Sequence, residues 1–191
     1  MLSVTEARER ILSHFHATAT ETIPLAACAN RVLAVDISAA HDFPLFDNSA
    51  MDGFAIRAED SSASPSALRV VADIPAGSTP TVTLKPGEAA RIMTGAPVPP
   101  GADSVQKIEV IQAQQGLVEI QEPTKPGQNI TPRGVEAKAG NLMLAAGALI
   151  TAAAAAVLAS FGYAMVEVGM RPRLVLLSTG SELVEVWEKP T

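Results

Sequence analysis

Apolar residues near the amino terminus recur at the spacing of one helix face. They are Val4, Ala7, Ile11, Leu12 and Phe15. Ser3 and Glu6 have the S-x-x-E spacing of a capping box, in which each side chain bonds the backbone N–H of the other residue. The sequence therefore predicts a helix over residues 4–15 that begins at Ser3.

An alanine-rich stretch predicts a second helix over residues 151–161. Alanine has the highest helix propensity, Thr151 suits the N-cap, and Gly162 suits the position just past the last turn. Residues 140–166 carry no charge, which raises the question of a membrane span. Alanine adds little to membrane insertion and glycines interrupt the stretch, so we expect no span.

The middle of the chain changes to short runs rich in β-branched residues, separated by proline and glycine. The runs are residues 68–74, 81–84, 88–93, 104–110 and 117–121. Such spacing predicts a small antiparallel sheet or a partly open barrel within residues 43–136. Residues 23–37 alternate too weakly to separate a short helix from a strand, and we expect a helical turn there followed by a break near Asn30.

Residues 173–177, RLVLL, form a continuous apolar run, which is typical of a strand buried on both faces of a parallel sheet. The small residues Ser178, Thr179 and Gly180 follow it, where open α/β sheets place their ligands. We therefore expect an α/β domain to begin near residue 172 and the chain to be an N-terminal fragment of a longer protein.

Composition narrows the classes of function. Lys and Arg number 14 against 20 Asp and Glu, a net charge of −6 that argues against a nucleic-acid-binding surface. The single cysteine, Cys28, has no partner for an internal disulfide, and no Cys/His set has zinc-like spacing. A charged amino terminus is unlike a secretory signal. We expect a cytoplasmic protein that binds neither nucleic acid nor membranes.

Residues 43–57, FPLFDNSAMDGFAIR, concentrate polar groups in a segment with neither helix nor strand periodicity. Two acids, Asp47 and Asp52, flank Asn48, Ser49 and Met51, and Gly53 follows. One interpretation is a plain turn, since Asp, Asn, Ser and Gly are common turn formers. The other is a loop that faces an anion, a metal ion or a polar ligand.

Four segments carry a resemblance to a known family. They are RVLAVDI at residues 31–37, FDNSAMDGFAIR at 46–57, RIMTGAPVPPGADSV at 91–105 and LLSTGSELVE at 176–185. In this order they resemble the signatures of the MoeA family, the molybdopterin molybdenumtransferases, to which the C-terminal domain of gephyrin is also similar. The match extends along almost the whole chain.

The resemblance implies an α+β, multidomain fold. Residues 1–42 and 137–171 would form a discontinuous helical dimerisation domain, and residues 43–136 a small β domain inserted into it. Residues 172–191 would begin a truncated, MogA-like α/β domain. The resemblance also implies a homodimer with an active cleft between the β domain of one subunit and the α/β domain of the other.

The implied reaction belongs to molybdenum cofactor biosynthesis. It is the insertion of molybdate into adenylylated molybdopterin with release of AMP, assisted by Mg²⁺. Both substrates are anionic, so hydrogen-bond donors and positive charge would bind them, while carboxylates could hold Mg²⁺ or transfer protons. The implied partners are a second subunit, these small molecules and the adenylyltransferase of the same pathway.

The family's functional residues match positions in this sequence. The implied catalytic residues are Asp52, Thr94, Glu136 and Glu182, and Glu182 is also the implied Mg²⁺ ligand. The implied substrate-binding residues are Asn48, Ser49, Met51, Gly53, Gly95, Arg133, Ser178, Thr179, Gly180 and Ser181. Two motifs depart from the family pattern: RGED is here RGVE, with Val135 and Glu136, and TGDEL is here TGSEL, with Ser181.

Two other functions stay open. The chain could be a non-catalytic dimerisation or scaffold module in which the motifs serve as turns. It could also be an unrelated metal-dependent phosphohydrolase that uses Asp47 and Asp52, although no further acid cluster supports that. The basic residues nearest the motifs, Arg91, Lys107 and Arg133, are candidates for binding phosphate or molybdate, or are solvated surface charges.

Overall fold

A computed structural model describes residues 2–114, 116–180 and 182–189. The helices are α1 (Val4–Leu12) and α2 (Ala152–Ser160). The strands in chain order are β1 (Thr20–Pro24), β2 (Ile37–Ser38), β3 (Asn48–Ser49), β4 (Gly53–Ile56), β5 (Ser66–Ile74), β6 (Glu88–Ile92), β7 (Ser104–Lys107), β8 (Ile111–Gln114), β9 (Leu117–Ile120), β10 (Ile130–Thr131), β11 (Leu142–Leu144) and β12 (Met165–Gly169). The mixture of strands with few helices confirms the α+β character.

The chain divides into two compact units. Residues 1–37 and 144–191 form the first, and residues 38–143 form the second, inserted between its two halves. None of the helices in the described ranges is long and apolar enough to cross a bilayer.

In the first unit, β1 and β12 pair in antiparallel register from Thr20↔Gly169 to Pro24↔Met165. Helix α2 lies beside this pair and buries Ala154 and Leu158. The core around them combines short aliphatic side chains, among which Cys28, Leu33, Ile150, Val166 and Val168 are almost completely buried. The free thiol of Cys28 is part of this core.

The two predicted helices form close to their expected limits. Helix α1 has the full capping box, because the Ser3 hydroxyl accepts from the Glu6 N–H and the Glu6 carboxylate accepts from the Ser3 N–H. It ends at Leu12, before the predicted Phe15. Helix α2 begins with Thr151 as its N-cap and is followed by Gly162 at φ +79°, the left-handed conformation expected there.

The second unit is built on a six-stranded sheet in the order β7-β4-β6-β5-β9-β8. Neighbouring strands are antiparallel except for β5 and β6, which run parallel, so of the expected antiparallel sheet or partly open barrel the antiparallel pairing is wrong at that pair. Side chains pack on both faces. Ala55, Ala90, Ile92 and Val105 lie on one face, and Phe54, Ile56, Val118 and Ile120 lie on the other.

Because β4 lies between β6 and β7 and is covered on both faces, all of its residues are buried. This explains why GFAI, the whole sequence of β4, shows no polar alternation. The remaining short pairs are β3 with β10 and β2 with β11. Strand β3 consists of Asn48 and Ser49, the two polar residues that follow Asp47.

Two predicted strands are absent from the described structure. Residues 81–84 have no strand, although Val82 is half-buried and Leu84 is buried. In this segment Leu84 donates its N–H to the carbonyl oxygen of Pro100, 2.8 Å away, and no strand ladder forms. Alternation showed correctly which side chains face inward, but it carries no information about a partner strand.

The second absent strand is the apolar run 173–177. Its leucine and valine side chains are exposed, Leu176 at 95%, and no described residue pairs with the segment. A strand of this kind forms through hydrogen bonds to its neighbours, so the apolar pattern alone does not produce it. The predicted strand 104–110 is also shorter than expected, because a 3₁₀ turn (Ile108–Val110) follows β7. In the weakly patterned region 23–37, the expected helical turn is the 3₁₀ turn Leu25–Ala27, which ends at Cys28, and Asn30 follows at φ +60°.

Candidate functional site

The DNSAMDG segment lies between two other stretches of the second unit. On one side β3 pairs with β10, with Ser49 opposite Ile130. On the other side the Ser49 N–H donates to the carbonyl oxygen of Ala96 over 3.0 Å, and the Gly95 N–H donates to that of Ser49 over 2.8 Å. The fold therefore brings the DNSAMDG and MTGAP motifs into direct backbone contact.

The loop is shaped by Ser49 and Gly53. The Ser49 hydroxyl is buried and donates to the carbonyl oxygen of Met51 over 2.5 Å, so it builds the turn itself. Gly53 begins β4 at a point where the carbonyl oxygen of Gln106 in β7 comes so close that a Cβ would collide with it. Asn48 is half-buried and Met51 is exposed. Asp52 therefore projects from a rigid turn.

Asp52 and Thr94 form the central contact of the site. Asp52 Oδ1 accepts a hydrogen bond from the Thr94 backbone N–H and another from the Thr94 hydroxyl, each over 2.7 Å. The N–H, the hydroxyl and the nearby charge of Arg91 lower the pKa of the Asp52 carboxyl. Asp52 is exposed, and no described residue donates to its Oδ2. The site thus presents an ionised carboxylate with one open oxygen.

In this arrangement the Thr94 hydroxyl donates its one hydrogen bond to Asp52. Its oxygen keeps lone pairs that can accept a hydrogen bond from a ligand. Gly95 follows at φ +79°, with open space where a side chain would be. The exposed backbone at Thr94 and Gly95 leaves room for a ligand beside Asp52.

Arg133 lies in the same unit, bound to the start of the DNSAMDG segment. Its backbone N–H donates to Asp47 Oδ1 and its Nε donates to Asp42 Oδ2, each over 2.7 Å. Asp42 is the residue that sequence reasoning missed. In the sequence, Asp42 is only an acid a few positions before the DNSAMDG motif. Nothing there indicates a partner 91 residues away.

Glu136 lies near this arginine along the chain but has a different environment. Its backbone N–H donates to the carbonyl oxygen of Phe43 over 3.1 Å. Its carboxylate is exposed and has no hydrogen-bond or ion-pair partner in the described part of the chain. No hydrogen bond joins Glu136 to Asp52 or Thr94. Glu136 is therefore available to a ligand but is not oriented by a protein contact.

Two further cations flank the loop. Arg91, on β6, is about half exposed and lies 3.6 Å from Asp73. Lys107, at the end of β7, pairs in register with Gly53. Within the described ranges, the Lys107 ammonium has no ion-pair partner. Positive charge is therefore present on both strands adjacent to the start of β4.

The remaining predicted site residues belong to the first unit. Ser178, Thr179, Gly180 and Glu182 are exposed and lie outside any helix or strand. Ser181 lies outside the described residues.

Glu182, the Mg²⁺ ligand that the family resemblance implies, is exposed. Among the residues that the structure describes, no three His, Cys, Asp or Glu side chains lie close enough to hold a metal ion together. Mg²⁺ is usually bound by one or two carboxylates together with substrate phosphates and water. The described residues therefore do not by themselves form a three-ligand cage for Mg²⁺.

Comparisons with known proteins agree with the motifs. The family model described as "MoeA N-terminal region (domain I and II)" matches residues 2–162. A molybdopterin molybdenumtransferase of Nostoc sp. is 43% identical over 86% of this chain and 39% of its own length. Molybdopterin molybdenumtransferase 2 of Mycobacterium tuberculosis is 40% identical over 96% of this chain and 46% of its own length.

Solved structures give the same result. The molybdopterin biosynthesis MoeA protein from Pyrococcus horikoshii OT3 superposes with a TM-score of 0.77 at 35% identity, covering 81% of this chain and 42% of that one. A structure described as the molybdopterin biosynthesis MoeA protein from Pyrococcus horikosii has a TM-score of 0.80 at 32% identity and covers 100% of this chain and 50% of that one. The chain spans less than half the length of the curated relatives it matches. On the family model and these relatives together, the chain belongs to the MoeA family, whose N-terminal region it carries.

Proposed function

We propose that this chain supplies one wall of the active site of a molybdopterin molybdenumtransferase, which inserts molybdate into adenylylated molybdopterin and releases AMP. The observation that carries the proposal is the pair of hydrogen bonds from Thr94 to Asp52 Oδ1. It joins the two family motifs of the second unit into one polar surface. The relatives named molybdopterin molybdenumtransferase support the reaction class.

In this proposal Asp52 acts as an oriented anion. A carboxylate whose pKa is lowered by two donors stays ionised at neutral pH, so it accepts hydrogen bonds and does not serve as a proton donor. Its open Oδ2 would bind an N–H of the pterin or a reacting water. The Thr94 hydroxyl fixes the carboxylate and offers its own lone pairs to the same ligand.

The negative charge of molybdate and of the substrate phosphates requires local donors, since the whole chain carries a net charge of −6. Arg91, Lys107 and Arg133 supply positive charge on segments next to the DNSAMDG loop. Glu136, whose carboxylate is exposed and unpartnered among described residues, would contact the ligand from the Arg133 side. Mg²⁺ stays a prediction from the family resemblance.

Helix α1 supports the proposal of a homodimer. It has no buried residue in the described structure, and its apolar positions Ile11 and Leu12 are 59% and 55% exposed. An apolar helix face of this kind is stabilised when it packs against a partner. The same observation favours the second candidate function, a non-catalytic dimerisation or scaffold module. The two functions differ in whether Asp52 is needed.

The test uses the product of the full reading frame that encodes this chain, assayed for molybdate insertion and AMP release. Asp52→Ala is expected to lower the rate by at least about 100-fold, the loss typical of a group that acts on the reacting atoms. Glu59→Ala, at an exposed acid of the same unit, is the matched control and should retain full activity. Gel filtration should show the same oligomer for both variants.

An Asp52→Ala enzyme with unchanged turnover would contradict the enzymatic role and favour the scaffold. The proposal also includes Glu182 of the first unit as a catalytic group, with the active cleft completed by a further α/β domain. The purified 191-residue chain is therefore expected to be inactive in molybdate insertion. Activity of that chain alone would overturn this part of the proposal.

A further inference from the structure

Arg133 is fixed at two points by two different carboxylates. Asp47 Oδ1 accepts from its backbone N–H, and Asp42 Oδ2 accepts from its Nε, each over 2.7 Å. The first contact sets the position of the main chain and the second sets the direction of the side chain. Since the guanidinium group is planar, holding Nε in a short charge-assisted hydrogen bond also restricts the plane of the whole group.

Asp42 is itself held by the protein. Its Oδ1 accepts from the backbone N–H of Ala139 over 3.0 Å, and its side chain is 24% exposed. Gly134 makes room for it: this residue has φ +67°, and a Cβ there would lie 3.3 Å from the Asp42 carboxyl carbon. The Ala139 N–H and the Arg133 guanidinium lower the pKa of Asp42, so the acid is ionised at neutral pH.

The other edge of the guanidinium is open. No described residue accepts a hydrogen bond from Nη1 or Nη2 of Arg133, and the side chain is 64% exposed. An arginine edge with parallel N–H donors fits two oxygens of a phosphate or of another tetrahedral oxyanion. The geometry therefore leaves free the part of Arg133 that recognises anions best.

The position of this edge links it to the candidate site. Asp47 precedes Asn48 in the same loop that ends at Asp52, and the Asp47 carbonyl oxygen accepts from the Val98 N–H over 2.9 Å. Arg133 is thus tied to the loop that contacts the MTGAP segment. The positive charges of Arg133 and Lys138 both lower the pKa of Asp42.

A plain surface ion pair is the simpler interpretation. Exposed Arg–Asp pairs usually add little stability, because both side chains lose freedom and the solvent screens their attraction. Here, however, two acids converge on one arginine, one of them is anchored to the backbone, and the outer edge of the arginine stays unpaired. This arrangement orients a donor more than it stabilises a loop.

We propose that Asp42 is a positioning residue, which orients Arg133 so that its Nη edge binds an oxyanion of the substrate. The inference rests on the proposed function for the identity of the anion. The shared chemistry is a tetrahedral oxyanion, and its two sources are free molybdate and the phosphate of the adenylylated substrate. Asp42 acts only through Arg133 and touches no ligand.

The test is equilibrium binding by calorimetry, with the product of the full reading frame and two probes, sodium molybdate and AMP. Asp42→Asn removes the charge but keeps the shape, and Arg133→Lys keeps a charge but removes the planar edge. Each is expected to raise the Kd of one probe by about 3- to 10-fold, as for the loss of an oriented charge-assisted contact. The weakened probe identifies the source of the anion.

Three controls make the result specific. Glu59→Gln should bind both probes unchanged, and Asp42→Glu should recover part of the lost affinity, since it restores the carboxylate. Sulfate, which is another tetrahedral oxyanion, should also be bound more weakly by Asp42→Asn. Because removal of a nearby negative charge by itself tightens the binding of any anion, tighter binding of sulfate and of both probes would mean a general charge effect and would overturn the inference. If Asp42→Asn does not fold, Arg133→Lys, which leaves both acids in place, decides the question.

The outcome separates the inference from the proposed function. Unchanged Kd values for both probes in Asp42→Asn and Arg133→Lys would overturn the role of Asp42, whatever the turnover of the Asp52 variants. A protein without molybdate insertion activity in which Asp42→Asn still weakens one anion would overturn the proposed function and leave the anion site standing.

Discussion

Asp52 accepts hydrogen bonds from both the backbone N–H and the hydroxyl of Thr94, a residue 42 positions further along the chain. A turn-forming aspartate bonds backbone groups close to it in sequence, and the sequence left that interpretation open for Asp52. The observed partner instead belongs to the second motif. The carboxylate therefore joins the DNSAMDG and MTGAP loops, and this contact gives the first prediction.

Replacing Thr94 by valine removes the hydroxyl donor and keeps the shape of the side chain. The pKa of Asp52 should rise toward its ordinary value but remain below it, because the backbone N–H of residue 94, the larger cause of the lowering, is retained. NMR titration of the Asp52 carboxyl carbon measures this. Thr94→Ser keeps the hydroxyl and is the control.

The same variants give a prediction for activity. With the carboxylate held by one donor in place of two, Asp52 samples more orientations, and turnover by the full-length product should fall by about 3- to 10-fold in Thr94→Val. Thr94→Ser should keep most of the activity. If valine and serine behave alike in both assays, the hydroxyl contact has no functional role.

Acid should destabilise the second unit through Asp42 and Asp52. The pKa of each is lowered in the folded state, so their contribution is fully present above the unfolded value of about 3.9 and is lost as pH falls through the lower folded values. Urea unfolding midpoints between pH 6 and pH 2.5 should therefore drop, and the double variant Asp42→Asn/Asp52→Asn should show a shallower drop. An equal slope in both proteins would exclude these two acids as the cause.

Helix α1 gives a prediction about assembly. Ile11→Glu places a charge on its exposed apolar face and should weaken a dimer that buries this face by at least about tenfold, the usual effect at a central interface position. Sedimentation equilibrium of the full-length product measures the change. Glu9→Gln, at an exposed polar position of the same helix, should leave the dimer unchanged. A dimer that tolerates Ile11→Glu does not use this face.

The two helices were predictable because their signals are local. Ser3 exchanges hydrogen bonds with Glu6, and the Thr151 hydroxyl accepts from the Ala154 N–H, so each cap uses partners in the first turn of its own helix. Strands need partners that the local pattern does not name. The run at 81–84 alternates and faces inward, yet only Leu84 donates a backbone hydrogen bond across to Pro100.

The candidate site shows the same division between local and long-range information. Motif resemblance singled out Asp52 and Thr94 separately, and only the fold shows that they touch. Asp42 was missed because nothing near it in sequence indicates Arg133 or Ala139 as partners. Long-range pairing of this kind depends on how β3, β10 and the following loop are placed, which a single sequence does not specify.

Two glycines of the motifs should differ sharply in their tolerance of alanine. A Cβ at Gly53 would collide with the backbone carbonyl of Gln106 in the adjacent strand, so β4 or β7 must shift, and Gly53→Ala should cost about 3 kcal/mol, the upper part of the range for overpacking. Gly95 has open space around it but a φ of +79°, and Gly95→Ala should cost only about 1–2 kcal/mol for the left-handed conformation. Urea unfolding of the two variants beside the unchanged chain measures both costs. Because Gly53 sets the direction in which Asp52 leaves the sheet, Gly53→Ala should also shift the NMR resonance of the Asp52 carboxyl carbon. Equal losses of unfolding free energy in the two variants, with an unmoved resonance, would show that the strand contact does not shape the site.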